Sequence, residues 1–166
     1  MLVRPAEASD ASDIRAVHLL AFPSQAEADL AEQLVRDGDS LISLVGIERA
    51  RIAGHILFSK MDAQADGRRL DALGLGPLAV IPDMQRRGIG SALIEAGIAE
   101  ARRLGAEMIF VLGDNRFYER FGFTAAAAQP FACRYSGPHF QALALDEAER
   151  PPQSGTADYA RAFNGL

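Results

Sequence analysis

With 166 residues, 49% of them hydrophobic and 23% charged, and a net charge of −5, the chain has the size and composition of one soluble globular domain. No apolar run reaches the roughly 18 residues of a membrane span, and the opening Met1 to Asp10, which carries Arg4, Glu7 and Asp10, lacks the apolar core of a signal peptide. The acidic balance argues against nucleic-acid binding, and a lone Cys133 excludes an internal disulfide, fits a reducing cytoplasm and leaves no Cys/His spacing for a metal.

In chain order, Leu2 to Pro5 reads as a short strand, followed by a helix capped by Ser9 or Ser12 and running to about Phe22. Ser24 with Glu27 three residues later is a capping-box signature that opens a second helix through Val35, stopped by Asp37-Gly38. Leu41 to Glu48 and Ile52 to Ser59 form a predicted hairpin, and Asp62 to Arg69 a polar loop. A long strand from about Leu70 to Ile81 is interrupted by Gly74, Gly76 and Pro77, which suggests a bulge or the close approach of another group. The best helix runs from about Ile89 to Leu104, with Arg102 and Arg103 suited to its negative end and Gly105 as the stop. Glu107 to Leu112 reads as a buried strand and Asn115 to Phe121 as a short helix. Strands near Phe123 to Ala127 and Phe140 to Leu145 close the sheet. Residues 1–148 make one mixed α/β domain. Residues 149–166 make a linker (Pro151-Pro152-Gln153-Ser154-Gly155) and a tail that can dock through Tyr159 and Phe163.

The chemistry gathers at Gln85-Arg86-Arg87-Gly88-Ile89-Gly90-Ser91, where a strand ends and a helix begins. The first turn of a helix has unpaired N–H groups and partial positive charge. Gly88 and Gly90 let an anion approach the backbone, the two arginines add charge-assisted donors, and Ser91 adds a hydroxyl. A phosphate-binding loop of the nucleotide-triphosphate kind needs Lys followed by Ser or Thr after its last glycine, and neither is present. The dinucleotide fingerprint fails because Leu93 stands at its third glycine. On its own the heptad specifies an anion at a helix start.

Leu75-Gly76-Pro77-Leu78-Ala79-Val80-Ile81-Pro82, the loop from Gln85 to Gly90, and the amphipathic helix together resemble the acetyl-CoA motif of the GNAT acetyltransferase superfamily. Its Gln/Arg-x-x-Gly-x-Gly/Ala pattern is complete, and Tyr118-Glu119-Arg120-Phe121-Gly122-Phe123 is similar to its second marker. The combination with Val111-Leu112-Gly113-Asp114 resembles a bacterial subgroup of N-acetyltransferases of uncertain substrate. The resemblance implies a central, mostly antiparallel sheet of about six or seven strands, with a splayed parallel pair and about four helices. It also implies direct transfer of the acetyl group of acetyl-CoA to a primary amine of a small molecule or protein. Leu78, Ala79 and Val80 would then face the pantetheine arm, and Gln85, Arg86, Arg87, Gly88, Ile89, Gly90 and Ser91 the pyrophosphate, with the Ile89 side chain expected in the core. Tyr118 corresponds to the family's general acid; against that stands an aromatic core face of Phe117, Tyr118 and Phe121. The asparagine that the family often carries is replaced by Val111, and Asn115 is out of register for cofactor contact.

The residues leave the general base open among Glu27, His55 and Asp71, with Glu27 taken as the candidate because its helix lines the acceptor side in such folds. A core histidine and an edge aspartate are the plainer readings of the other two. Cys133 reads as a small buried hydrophobe. No metal, nucleic acid or membrane is expected as a partner, and a homodimer is left open. Two alternatives share the cofactor loop: a non-catalytic acetyl-CoA-binding module, and a transferase of a longer acyl group.

Overall fold

The computed structural model describes residues 1–146 and 151–166. The first half gives β1 (Leu2–Pro5), α1 (Ala11–Ala21), α2 (Ala26–Arg36), β2 (Ser40–Glu48), β3 (Arg51–Ala65), β4 (Arg68–Leu70) and β5 (Ala72–Val80). There follow α3 (Ile89–Arg103), β6 (Met108–Leu112), α4 (Asn115–Tyr118), α5 (Ala125–Ala128), β7 (Phe131–Ala132), β8 (Phe140–Ala144) and β9 (Gly155–Tyr159). Among the described residues they build a nine-stranded sheet in the order β1-β2-β3-β5-β6-β8, with β4 and β9 on the far end of β3 and β7 beside β9. Neighbours run antiparallel except β5 with β6 and β7 with β9. This is the mixed, mostly antiparallel sheet with a parallel central pair that the resemblance implies, with the short β4, β7 and β9 added to its six main strands.

Successive residues of β3 point to opposite faces, so one strand serves two cores. Phe58 packs toward α3, where Gly97 makes room for its ring. Leu57 packs on the other face with Leu30, Ala31 and Leu34 of α2 and with Phe163. Ile89 and Leu93 at the start of α3 lie against Gly46 of β2 and Gly54 of β3, which brings the helix close to the sheet.

Several boundaries differ from the predicted ones. The expected loop from Asp62 to Arg69 is mostly strand: β3 continues to Ala65, turns at Asp66-Gly67, where both residues have positive φ, and returns as β4. Met61 and Ala63 are buried while Asp62 and Gln64 face out, so the polar letters are the solvent side of a half-buried strand. The strand expected at Phe123 to Ala127 is a single bridge, Thr124 to Ala142, before α5, because the Thr124 hydroxyl accepts from the Ala127 amide and caps a helical turn. Ser24 lies one position too early for a capping box: Gln25 is the cap residue, and the Ser24 hydroxyl accepts from the Ala26 amide at 3.2 Å. The first helix is preceded by Asp10 rather than capped by Ser9 or Ser12; the Asp10 carboxylate accepts from the Glu7 amide and pairs with Arg4 at 2.8 Å.

The expected division at residues 148 and 149 lies outside the described residues. Within the predicted linker, Gly155 already begins β9, which pairs with Met61 to Ala65 of β3. The Asp66 carboxylate accepts from the Gln153 and Ser154 amides, both at 3.1 Å, and ties down the approach. Phe163 is buried beyond the strand. No helix among the described residues is long and apolar enough to cross a membrane.

Candidate active site

The turn between β5 and α3 presents its backbone outward. Gln85 to Gly88 are exposed. Gly88 precedes the helix with φ of +84°, and Arg86 also has positive φ. The first bond of α3 runs from the Ala92 amide to the Gly88 carbonyl at 3.0 Å, so the amides of Ile89, Gly90 and Ser91 have no partner within the helix. No acidic residue stands in that turn. A Cβ at Gly90 would meet nothing nearer than 3.8 Å, and one at Gly88 would meet nothing within 4 Å, so both positions are open to a ligand. The Ile89 side chain is buried against the sheet, which leaves only its backbone for contact. Gln85 turns back, and its Nε2 donates to the Val80 carbonyl at 3.0 Å, fastening the loop to β5.

A third guanidinium joins the site from another element. Arg120 stacks over Phe117 and Phe121, its Cζ 4.8 Å and 5.2 Å from the ring centroids, and its Nη2 donates to the Ser91 hydroxyl at 3.4 Å. Local spacing could not single it out, because it reaches the loop across the fold. The only sequence signal is its place inside the second marker.

Beside the loop, β5 leaves its parallel neighbour. The β5–β6 ladder covers Ala72 to Gly74 against Met108 to Phe110 and stops, while β5 stays on β3 as far as Val80. Leu78, Ala79 and Val80 therefore have a backbone edge facing a gap. The gap opens into a cavity of about 410 Å³, walled by Leu75 to Leu78 of β5 and Leu112 of β6, with Glu27 and Tyr118 also in its lining. Tyr118 is seated against Gly113, where a Cβ would stand 2.6 Å from its ring, and edge-on to Phe117 and Phe123. Burial pushes the Tyr118 hydroxyl up to about 12, which keeps it protonated. Glu27 is half-buried rather than the exposed helix-start residue that is the commoner outcome. Its Oε2 is buried with no hydrogen-bond partner in the protein.

The structure separates the remaining candidates from this cavity. His55 is buried in a chain of contacts: its Nδ1 lies 2.8 Å from His18 Nε2 and its Nε2 lies 2.8 Å from the Ser43 hydroxyl. Burial, then the neighbouring imidazole, lowers His55 to about 3, and burial lowers His18 to about 4. Asp71 is exposed beside Glu107, before the paired end of β5. Asn115 is committed to the loop before β8, donating to the Pro138 carbonyl at 2.8 Å and meeting His139 Nδ1 at 2.9 Å. The Cys133 thiol is half-buried and raised by that burial. Among the described residues no group of three or more His, Cys, Asp and Glu side chains could hold a metal ion.

The match to a family model agrees with this geometry: residues 11–123 fit the acetyltransferase (GNAT) family. The chain is 32% identical over 167 residues to the uncharacterized N-acetyltransferase YhbS of Escherichia coli, covering 99% of each chain. It is 40% identical over 121 residues to the uncharacterized N-acetyltransferase YjhQ of the same organism, covering 72% of this chain and 67% of that one. Crystal structures extend the likeness to three dimensions. The E. coli YhbS structure in complex with CoA superposes with a TM-score of 0.87 at 30% identity, covering 98% of this chain and 91% of that one. A GNAT family acetyltransferase from Brucella melitensis in complex with acetyl-CoA gives 0.79 at 32% identity, covering 98% and 97%.

Proposed function

This chain belongs to the acetyltransferase (GNAT) family and is an acetyl-CoA-dependent N-acetyltransferase, and from that premise we propose that Glu27 deprotonates the acceptor amine and Tyr118 protonates the leaving sulfur. Acetyl-CoA brings an activated acetyl group and a thiolate leaving group. The helix-start amides of Ile89, Gly90 and Ser91, with Arg86, Arg87 and Arg120 around them, hold the pyrophosphate. The free edge of β5 at Leu78, Ala79 and Val80 takes the pantetheine arm, and a backbone N–H there donates to the carbonyl oxygen as charge grows on it. The open amides and the splayed strand fit such a ligand, and the partnerless Glu27 oxygen fits the ammonium of the acceptor.

Glu27 takes a proton from the acceptor's ammonium, and the neutral amine attacks the carbonyl carbon. As the carbon–sulfur bond breaks, Tyr118 gives its proton to the sulfur and recovers one from the amide nitrogen. The products are the amide and free coenzyme thiol, and Glu27 returns its proton to solvent.

The observation that carries this reading is that Glu27 and Tyr118 line one cavity between the diverging parts of β5 and β6. Tyr118→Phe should lower kcat about 100-fold, measured as thiol release with an amine, while leaving the rise in melting temperature on adding acetyl-CoA intact. Equal turnover in the variant removes Tyr118 from the acid role.

A further inference from the structure

Beyond the carboxylate of Glu27, the acceptor side of the cavity is built from apolar surface. Phe22 and Leu30 face it from the first two helices, Tyr135 from the segment after β7, and Tyr159 and Phe163 from the C-terminal strand and the turn after it. Tyr159 and Phe163 pack at 4.8 Å between ring centroids, and Tyr135 meets Tyr159 at 5.6 Å, so these three rings form one continuous aromatic surface. Among the described residues Glu27 is the one charged side chain in the lining. The Tyr135 hydroxyl is already spent on the Phe163 carbonyl at 3.4 Å, whereas the Tyr159 hydroxyl is buried without a partner in the protein.

We infer that the acceptor is a small monocationic primary amine on an apolar or aromatic body, selected by the pairing of Glu27 with the Phe22–Tyr135–Tyr159–Phe163 wall. This rests on the transfer reading above, since the cavity takes an acceptor only if the acetyl group reaches it through the β5–β6 gap. One buried carboxylate oxygen without a partner matches one ammonium. A second cation on the acceptor would be buried with no counter-charge, which is strongly unfavourable in such a site. A polyhydroxylated amine would exchange the hydration of several hydroxyls for the one buried, unpartnered hydroxyl of Tyr159 and otherwise apolar wall. An apolar body gains by leaving water, and ring faces beside the ammonium add cation–π attraction. A cavity of about 410 Å³ suits a small molecule.

The test is thiol release from acetyl-CoA across a panel of 2-phenylethylamine, cyclohexylmethylamine, putrescine, spermidine, glucosamine and a lysine peptide. The expected result is a kcat/KM for one of the first two at least about tenfold above every polycationic, sugar or peptide amine, a gap that burial of one ring readily supplies. Tyr135→Ala should raise KM for that amine about tenfold with kcat held within about twofold, because it removes wall and leaves both proton-transfer groups. Leading turnover of a diamine, the amino sugar or the peptide overturns the acceptor assignment and leaves the transfer reading standing. So does an unchanged KM in Tyr135→Ala. If none of the amines releases thiol while acetyl-CoA still raises the melting temperature, the acceptor assignment falls together with the Glu27 and Tyr118 roles on which it rests.

Discussion

Gly88 shows how one residue joins conformation to binding. Its φ of +84° is a geometry that side chains resist, and the space where a Cβ would stand is empty. Gly88→Glu strains the turn and sets a carboxylate in front of the bare amides. The expected outcome is loss of the melting-temperature rise on adding acetyl-CoA, with melting still cooperative. A rise of full size would show that the pyrophosphate lies elsewhere. The loop was legible because glycines at spacing two, two arginines and a following helix are all local signals. Two residue-scale features were not. Arg120 acts across 29 positions on Ser91, and Glu27 owes its interest to a buried oxygen that only tertiary packing creates. Gln85 is expected to meet the cofactor through its backbone, and its side chain, a clamp on Val80, is a role that only the fold reveals.

Among the elements, β3 was the hardest to read. Its inner half announces itself with Ile52, Ile56, Leu57 and Phe58, but the only hydrophobic residues that its outer half buries are Met61 and Ala63, set between polar ones. Such an alternation is weak until a partner strand is known, and beside the short β4 the partner that spans it is β9, roughly ninety residues later in the sequence. The same distance disguised β9, whose start sits in a stretch with the composition of a linker. By contrast α3 was clear from its period and its stop at Gly105, and β5 from its glycines and proline. Ala157 of β9 is fully buried opposite Ala63. Ala157→Asp places an unpaired carboxylate there and should cost about 3 kcal/mol, read from the urea midpoint. An unchanged midpoint would detach β9 from the cooperative fold.

At the scale of the whole molecule, the layers are joined by a polar chain through the interior: His18 of α1, His55 of β3 and Ser43 of β2. Both imidazoles are held neutral, near 4 and 3, while an unfolded chain protonates them at their ordinary values. The unfolded state therefore binds more protons as pH falls through the unfolded value. The pair's contribution is complete at neutral pH and declines until the folded values are reached. Between pH 7 and pH 5 the loss should be on the order of 3 kcal/mol, seen as a lower urea midpoint. Replacing both histidines with leucine should flatten that dependence, and equal midpoints for the parent protein at the two pH values would contradict it. Another joint has a different consequence. The Gln85 bond to Val80 ties the loop that leads into α3 to the end of the splayed strand at 3.0 Å. On the proposed reading the site is a ruler with two fixed marks, one for the pyrophosphate and one for the thioester. A truncated thioester without the phosphates meets only the second mark and drifts at the other.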